Sequence, residues 1–327
     1  MTWLVTGGAG YIGAHVVRAF QSAGIDAVIL DDFSSGVGSF VPEDVPLVTA
    51  SVLDTGAVAA ALRDHSIVGV VHCAAFKYAG ESVKRPVHTY RQNVEGTGTL
   101  LDAMQQEGVV NLVFSSSAGV FGTPPEALVT ETTPTAPESP YGESKLAAEW
   151  LIRGQVRATA AGDAPLRATS LRYFNVVGSG FDDIYDASPH NLFPKVFASI
   201  ARGEAPVIAG TDYPTADGTC VRDYIHVSDL AHSHVVAAQR LVAGESIEPV
   251  YNLGSGAGTS VREIMNAIVD VTGTDLTPVD GDRRPGDPAS IVATGELAAR
   301  DLDWQMRYTV RDMVASAWRA DPGHGRI

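Results

Sequence analysis

A tyrosine and a lysine, Tyr141 and Lys145, stand four positions apart in the segment YGESK and together have the chemistry to move a proton. In a helix this spacing puts both side chains on one face. A phenol, with an ordinary pKa of about 10, is a poor base at neutral pH, but a nearby ammonium favours the phenolate. Ser117, in an earlier loop, can hydrogen-bond the substrate oxygen whose proton moves. These residues predict acid–base chemistry, whereas the pair alone is also compatible with a packed tyrosine and a solvated lysine.

A glycine-rich turn near the start of the chain predicts the cofactor that this chemistry uses. Residues 5–13 are VTGGAGYIG, between an apolar run and a helical pattern at 12–23. Gly7 permits a tight turn, Gly10 lets backbone N–H groups approach a pyrophosphate, and Gly13 allows close helix packing. The helix N-terminus adds the positive end of its dipole. This arrangement predicts a bound dinucleotide, the alternative being a purely structural glycine turn.

Two carboxylates indicate which dinucleotide is bound. Asp31 and Asp32 end a second apolar run, 26–30, about 20 residues beyond the glycines. A carboxylate at this place accepts hydrogen bonds from the adenosine ribose hydroxyls and repels a 2′-phosphate. NAD is therefore favoured over NADP, although a turn carboxylate pair can also be merely solvated.

The elements that must position these residues alternate along the first half of the chain. Apolar strand-like runs and helical patterns follow one another at 46–50, 55–64, 69–72, 87–107, 111–115, 139–161 and 168–174. Such alternation predicts an α/β fold, a Rossmann-like doubly wound parallel sheet covered on both faces. Further helical segments are expected at 191–202, 227–243, 260–272 and 309–318, among loops rich in Gly, Pro and Asp. We expect a NAD-binding domain over 1–175 and a smaller C-terminal α/β lobe over 176–327 that binds the substrate and interleaves with the first.

Composition excludes several classes of protein. The chain of 327 residues has a net charge of −15, which argues against nucleic-acid binding and means that an anionic substrate must be held by local arginines. Cys73 and Cys220 are the two cysteines, so neither a disulfide framework nor a zinc site is expected, and a reducing cytoplasm is the expected location. No leader and no 18-residue apolar run is recognisable, so neither export nor a membrane span is expected.

Taken together, the motifs resemble a known family. The glycine turn, the serine run 115–117 and the Tyr141/Lys145 pair resemble the extended short-chain dehydrogenase/reductase family. Further segments, in order along nearly the whole chain, resemble its UDP-glucose 4-epimerase branch: GES at 80–82, NVEGT at 93–97, LRYFN at 171–175, NL at 191–192, DYPT at 212–215, DGT at 217–219 and VRDYIHV at 221–227.

The resemblance implies roles for individual residues, with Ser117, Tyr141 and Lys145 as the catalytic group. It implies NAD contacts from Gly7, Gly10, Tyr11, Ile12, Asp31, Asp32, Lys77, Asn93, Ser115, Tyr141, Lys145, Tyr173 and Phe174. It implies UDP-sugar contacts from Lys77, Ser117, Asn175, Asn191, Leu192, Arg222, Arg284, Asp287 and Ser290. Arginine forks suit a diphosphate in an acidic protein, although Arg222 and Arg284 also have acidic neighbours to pair with.

The resemblance also implies a reaction and an assembly. Tyr141 would remove the proton of the sugar 4′-hydroxyl while C4 gives hydride to NAD. The resulting 4-keto sugar would turn over and take the hydride back on its other face, which interconverts UDP-glucose and UDP-galactose. Small Ser290 falls where members restricted to these two sugars carry a tyrosine, so N-acetylated UDP-sugars are also expected substrates. A homodimer through helices 87–107 and 139–161 is expected.

Departures from the family pattern leave the exact activity open. Ser51 replaces an aspartate near the adenine, and Gly119, Phe121, Val176 and Ala209 differ from common residues without removing a catalytic group. A sugar-nucleotide dehydratase would need an acidic pair where Ala118 and Gly119 stand. A net oxidoreductase, a NAD-sensing regulator that lacks catalysis, and an epimerase for UDP-glucuronate or a UDP-pentose would share the cofactor site.

Overall fold

The computed structural model describes residues 1–126, 128–283 and 288–323. Its strands are β1 Thr2–Thr6, β2 Asp26–Asp31, β3 Leu47–Thr49, β4 Ile67–His72, β5 Asn111–Ser115, β6 Leu128–Val129, β7 Arg167–Tyr173, β8 Asn175–Val177, β9 Val207–Ala209, β10 Val221–Arg222, β11 Tyr224–His226, β12 Val250–Leu253, β13 Thr259–Ser260, β14 Val279–Gly281 and β15 Ser290–Ala293. Its α-helices are α1 Tyr11–Ser22, α2 Thr55–Asp64, α3 Ala79–Lys84, α4 Pro86–Tyr90, α5 Gly96–Gln106, α6 Pro140–Thr159, α7 Leu192–Ala201, α8 Val227–Val242, α9 Val261–Thr272, α10 Glu296–Leu302 and α11 Val310–Ala320.

The largest sheet in the described residues is parallel throughout. Its strand order is β12-β7-β5-β4-β1-β2-β3. The chain proceeds outward in one direction from β1 to β3 and then returns to β4 on the other side of β1. This reversal opens a crevice at the carboxyl ends of β1 and β4, where ligands bind in doubly wound folds. The α/β, Rossmann-like fold predicted from the sequence is confirmed.

Both faces of this sheet are buried, which explains why its strands are continuously apolar. In β1, Trp3 and Val5 belong to one apolar cluster with residues of α1 and α8. Leu4, between them, belongs to a second cluster with residues of α2, α5 and α6. Successive side chains of a strand point to opposite faces, so a strand covered on both faces needs apolar residues at every position.

Helix α6 carries the tyrosine and lysine, and local sequence determines where it begins. The Ser139 side chain accepts a hydrogen bond from the Gly142 N–H at 3.2 Å, and Pro140 occupies the first helical position. Serine at the cap and proline after it are favourable at a helix start. The expected helix 139–161 therefore forms almost as predicted.

The expected helix at 87–107 is interrupted. Between α4 and α5 the backbone makes a π-helical turn, Arg91–Glu95, which includes Asn93. The Asn93 amide donates to Phe76 O and Ser144 Oγ, and its oxygen accepts from Phe76 N. Single π turns often occur at functional sites. Here the turn coincides with the residue that ties the loop after β4 to α6.

The second half of the chain contributes to two layers. Strand β12 and helix α8 join the main sheet and its covering layer. Helices α7, α9 and α11 form another apolar core together with short strands. The smaller sheets are β13-β10-β15-β6, β11-β8 and β14-β9. Helical periodicity in the sequence predicted the long helices of this half, but it missed the short strands and helix α10. In the first half it missed helix α3. No helix in the described ranges is both long and apolar enough to cross a membrane.

Candidate active site

A cavity of about 790 Å³ opens at the carboxyl ends of the parallel strands. It extends from the crevice between β1 and β4 to β8, β9 and β10 of the second half. Among its lining residues are the predicted Gly7, Gly10, Tyr11, Ile12, Asp31, Asp32, Lys77, Ser117, Tyr141, Lys145, Tyr173, Phe174, Asn175, Asn191, Leu192 and Arg222. Residues distant in the sequence and assigned to two different ligands therefore meet around one cavity.

The glycine turn has a geometry that only glycine tolerates. Gly7 has φ of +69°, and a Cβ there would lie 2.7 Å from the Ala74 nitrogen. A Cβ on Gly13 would lie 2.1 Å from the Gly7 oxygen. Helix α1 begins at this turn without a capping side chain, so its first N–H groups remain available to an anion. The turn therefore fits the pyrophosphate of a dinucleotide.

The carboxylate at the end of β2 is held by backbone amides. Asp31 accepts hydrogen bonds from Ala9 N at 3.0 Å and Phe33 N at 2.8 Å. Burial raises its pKa, and these two N–H groups oppose that rise. Asp32 accepts from Ser34 N at 2.9 Å. Because both carboxyl groups line the cavity, a ribose with free hydroxyls fits here better than a phosphorylated one.

The candidate proton-transfer residues lie near the serine run that follows β5. Tyr141 and Lys145 lie one turn apart on α6, as predicted. The Ser117 hydroxyl accepts a hydrogen bond from Gly119 N at 3.1 Å, and the same hydroxyl lowers the pKa of Tyr141. Lys145 Nζ is buried and donates to the Ser115 carbonyl at 2.7 Å. All three catalytic candidates line the cavity.

Burial controls the electrostatics of this group. It raises the pKa of Tyr141, and the hydrogen bond with Ser117 opposes the rise. Burial lowers the pKa of Lys145 to about 8, opposed by Cys73 and Glu149. The sequence predicted that the ammonium favours the phenolate, whereas the structure directs the ammonium to Ser115 and provides the Ser117 hydroxyl as the group that lowers the pKa of Tyr141. Desolvation, which sequence spacing does not reveal, is the reason for the difference.

Two predicted cofactor residues lie behind the cavity wall. Asn93 holds Phe76 and Ser144 through the three hydrogen bonds described above. Ser115 Oγ is fully buried, 3.2 Å from Cys73 Sγ and 3.2 Å from His234 Nε2. Neither side chain is among the cavity-lining residues in the described ranges. The structure therefore gives these two side chains supporting contacts rather than an opening to the ligand.

The predicted substrate residues are divided between the cavity, its surroundings and undescribed segments. Asn175, Asn191, Leu192 and Arg222 line the cavity. Arg284 and Asp287 lie outside the described residues.

Ser290 is a predicted substrate residue at the start of β15. Strand β15 pairs with β10 so that Ser290 is beside Val221 and Ile291 is beside Arg222. Ile291 is buried in one apolar cluster with Phe174. Neither Ser290 nor Ile291 is among the cavity-lining residues in the described ranges, so the role of Ser290 as a gate stays a prediction.

The cavity also contains residues that sequence reasoning missed. Tyr78 and His190 come from the two halves of the chain, and their ring centroids are 4.8 Å apart. Asp186 accepts a hydrogen bond from Asn191 Nδ2 at 2.7 Å, and burial raises its pKa. Tyr78 and His190 each follow or precede a predicted residue by one position, so the motifs marked their segments without identifying their side chains. No cluster of three metal-ligating side chains occurs in the parts of the chain that the structure describes.

Comparisons with known proteins agree with this geometry. The NAD dependent epimerase/dehydratase family model matches residues 3–254. A UDP-glucose 4-epimerase of Corynebacterium glutamicum is 42% identical over 323 residues, covering 97% of this chain and 95% of that protein. Another from Azospirillum brasilense is 41% identical, covering 95% of this chain and 89% of that protein. The solved UDP-glucose-4-epimerase from Stenotrophomonas maltophila, with bound NAD and formylated UDP-arabinopyranose, has a TM-score of 0.91 and 39% identity, covering 98% of this chain and 97% of that one.

Proposed function

Because this chain belongs to the NAD dependent epimerase/dehydratase family, we propose that it is a UDP-glucose 4-epimerase, which uses NAD to interconvert UDP-glucose and UDP-galactose. The observation that carries the proposal is the meeting of Ser117, Tyr141 and Lys145 with the glycine turn in one cavity. Identity of about 40% to UDP-glucose 4-epimerases over nearly the whole chain supports the same activity.

The cofactor is NAD. The residues that would hold it are the amides of the glycine turn at the pyrophosphate, Asp31 at the ribose, and the wall formed by Tyr173 and Phe174. When bound, NAD accepts the hydride from the sugar C4, returns it later, and supplies a positive charge that favours the phenolate of Tyr141.

The chain's own contribution is to move one proton and to retain the sugar. Tyr141 as phenolate takes the proton of the 4′-hydroxyl, the O–H electrons form the C4=O bond, and the C4–H electrons leave as hydride. Ser117 hydrogen-bonds the same oxygen, which keeps it in line with Tyr141. Tyr141 returns the proton after the ring has presented its other face. Bound between the two halves of the chain, the ketone is kept away from bulk water in the interval.

We propose that the second half of the chain holds the UDP portion. Arg222 lines the cavity on β10, and Asn175 lines it at the start of β8. A guanidinium is the donor best suited to a diphosphate, and it offsets the unfavourable field of a chain with net charge −15. The sugar is then directed toward α6, where Tyr141 lies. Dehydratase chemistry is disfavoured because Ala118 and Gly119 occupy the place of the acidic pair that elimination requires.

Incubation of the purified protein with UDP-galactose, followed by chromatographic separation of the epimers, tests the function. We expect UDP-glucose to form without net production of NADH. We also expect NAD to copurify and NADP to support at least about 100-fold less activity, because Asp31 and Asp32 disfavour a 2′-phosphate. Turnover of UDP-galactose only with release of NADH would instead indicate an oxidoreductase.

We further propose that N-acetylated UDP-sugars are substrates and that the small side chain of Ser290 leaves space for the acetamido group. Ser290→Tyr fills that space, so it should lower kcat/KM for UDP-N-acetylglucosamine by about 10-fold more than for UDP-glucose, within the range that steric pocket changes produce. Ser290→Ala keeps the side chain small and is the matched control. An unchanged ratio of the two activities in Ser290→Tyr would contradict this proposal.

A homodimer is proposed from exposed apolar side chains on neighbouring helices. Val87 and Tyr90 on α4 and Trp150 and Leu151 on α6 are 73%, 38%, 56% and 38% exposed. Large exposed apolar side chains on neighbouring helices favour an association surface. Sedimentation should give twice the chain mass of 34.3 kDa, and Trp150→Glu should reduce it to the single mass. A wild-type protein that sediments as one chain would contradict the proposal.

We place the reaction in the cytoplasm on the basis of cysteine chemistry. Cys73 and Cys220 are both free thiols. Unpaired cysteines are typical of proteins in reducing compartments.

A further inference from the structure

Three consecutive serines each interact with a different turn of one helix. Lys145 Nζ donates to the Ser115 carbonyl at 2.7 Å, and the Ser117 hydroxyl lowers the pKa of Tyr141 against burial. The middle residue, Ser116, donates its hydroxyl hydrogen bond to Glu149 Oε1 at 2.6 Å. Tyr141, Lys145 and Glu149 are spaced by four residues along α6, so they form one stripe facing the serine run. Only the first two of these contacts involve the catalytic candidates.

The third contact is anchored to the sheet by a buried ion pair. Arg172, on β7, donates from Nε to Glu149 Oε1 at 2.9 Å and from its terminal nitrogen to Oε2 at 2.6 Å. The side chains of Arg172 and Glu149 are 4% and 3% exposed. The guanidinium also lies 5.2 Å from the ring centroid of Phe121, in the loop that follows the serines. Because two hydrogen bonds from one buried guanidinium fix the orientation of the Glu149 carboxylate, Glu149 is a rigid hydrogen-bond acceptor.

Both the backbone and the side chain of Ser116 are fixed by their surroundings. It is completely buried, and its N–H donates to Leu171 O at 2.9 Å, which extends the β5–β7 ladder by one residue. Its hydroxyl is therefore the last point at which the sheet and α6 hold the chain before Ser117 enters the cavity. Rotation of the backbone at Ser116 would displace the Ser117 hydroxyl directly.

Building on the proposed epimerase function, we propose that Ser116 and Glu149, with Arg172 as the anchor of Glu149, are positioning residues that hold Ser117 in line with Tyr141. None of the three touches the substrate in this role. They set the distance and direction of the Ser117 hydroxyl, to which the rate is sensitive because small misplacements of reacting groups are costly.

Glu149 has a second, electrostatic effect on the same group. It is one of the charges that raise the pKa of Lys145 against burial. The other titratable or charged groups around the ammonium are His72 and Cys73 at the end of β4, Tyr141 on α6, Tyr173 and Arg172 on β7, and His234 on α8. The ammonium exists below the pKa of Lys145, so loss of the Glu149 charge should move the alkaline limb of activity to lower pH.

The test compares Ser116→Ala with Ser233→Ala in the NAD-loaded protein. Ser233 is also completely buried, and its hydroxyl has no hydrogen-bond partner among the described residues, so it controls for loss of a buried hydroxyl. Ser116→Ala leaves the Glu149–Arg172 pair intact. We expect it to lower kcat for UDP-galactose by about 10-fold or more with KM and bound NAD unchanged, in keeping with the cost of misplaced groups. Ser233→Ala should change neither constant.

Two further variants separate positioning from general stability. If Ser116 acts through Ser117, Ser116→Ala should have little effect on kcat when Ser117→Ala is already present. Glu149→Gln should lower kcat and shift the alkaline limb to lower pH, whereas Ser116→Ala should lower kcat with no shift. Equal kcat for Ser116→Ala and Ser233→Ala, or a full additional loss in the double variant, would overturn the inference. Absence of epimerisation by the wild-type protein would instead refute the proposed function.

Discussion

Replacing Tyr141 by phenylalanine should lower the turnover of UDP-galactose by at least about 100-fold, the low end of what loss of a general base costs. The ring remains on α6, and the backbone N–H of residue 141 keeps its 3.1 Å hydrogen bond to Ser82 Oγ. Only the oxygen that accepts the substrate proton is removed. Steady-state kinetics together with the amount of bound NAD would separate lost chemistry from lost binding.

A second tyrosine provides the control for this prediction. Tyr308 is 38% exposed and stacks on the His226 ring, with the two ring centroids 3.9 Å apart. Neither residue lines the cavity. Tyr308→Phe removes the same atom and should leave turnover near the wild-type value. If Tyr141→Phe retained more than about a tenth of the wild-type kcat, another group would have to be the base, and the role of Tyr141 would be reduced to packing.

Replacing Arg172 by methionine should decrease the free energy of unfolding by about 3–5 kcal/mol, because it leaves the Glu149 carboxylate buried without a partner. Urea unfolding at a fixed, saturating NAD concentration measures this, since bound cofactor contributes to apparent stability. Adding Glu149→Leu removes the unpaired charge and should restore most of the loss. The double variant should nevertheless stay slow, because Ser116 still lacks its acceptor.

An exposed ion pair serves as the comparison. Arg202 and Glu204 form a 2.7 Å contact with side chains 55% and 58% exposed. Water screens such a pair, so Arg202→Met should leave the urea midpoint close to the wild-type value. A comparable shift from Arg202→Met and Arg172→Met would show that burial of the carboxylate is not the cause.

The residues predicted to bind the cofactor lie close together in the sequence. Gly7, Gly10 and Gly13 act through backbone conformation within one strand–turn–helix, and Asp31 closes the next strand of the same unit. Steric limits and hydrogen bonds over short sequence distances determine such structures, so their spacing is visible in the sequence. The Tyr141/Lys145 pair can also be predicted from the sequence, because helical periodicity alone puts both side chains on one face.

The substrate side and the support of the catalytic group depend on contacts between distant segments. The pairing of β15 with β10 sets the faces on which Ser290 and Ile291 lie, and a shift of one residue would exchange the two faces. The destination of the Lys145 ammonium depends on where β5 ends against α6. The sequence by itself determined the parallel sheet, the glycine turn for NAD and the choice of candidate proton-transfer residues, because these arise from local periodicity and backbone sterics. Only the tertiary structure decided which residues of the second half line the cavity and which contacts form the Ser116–Glu149–Arg172 anchor, because packing and desolvation between separate elements select those contacts.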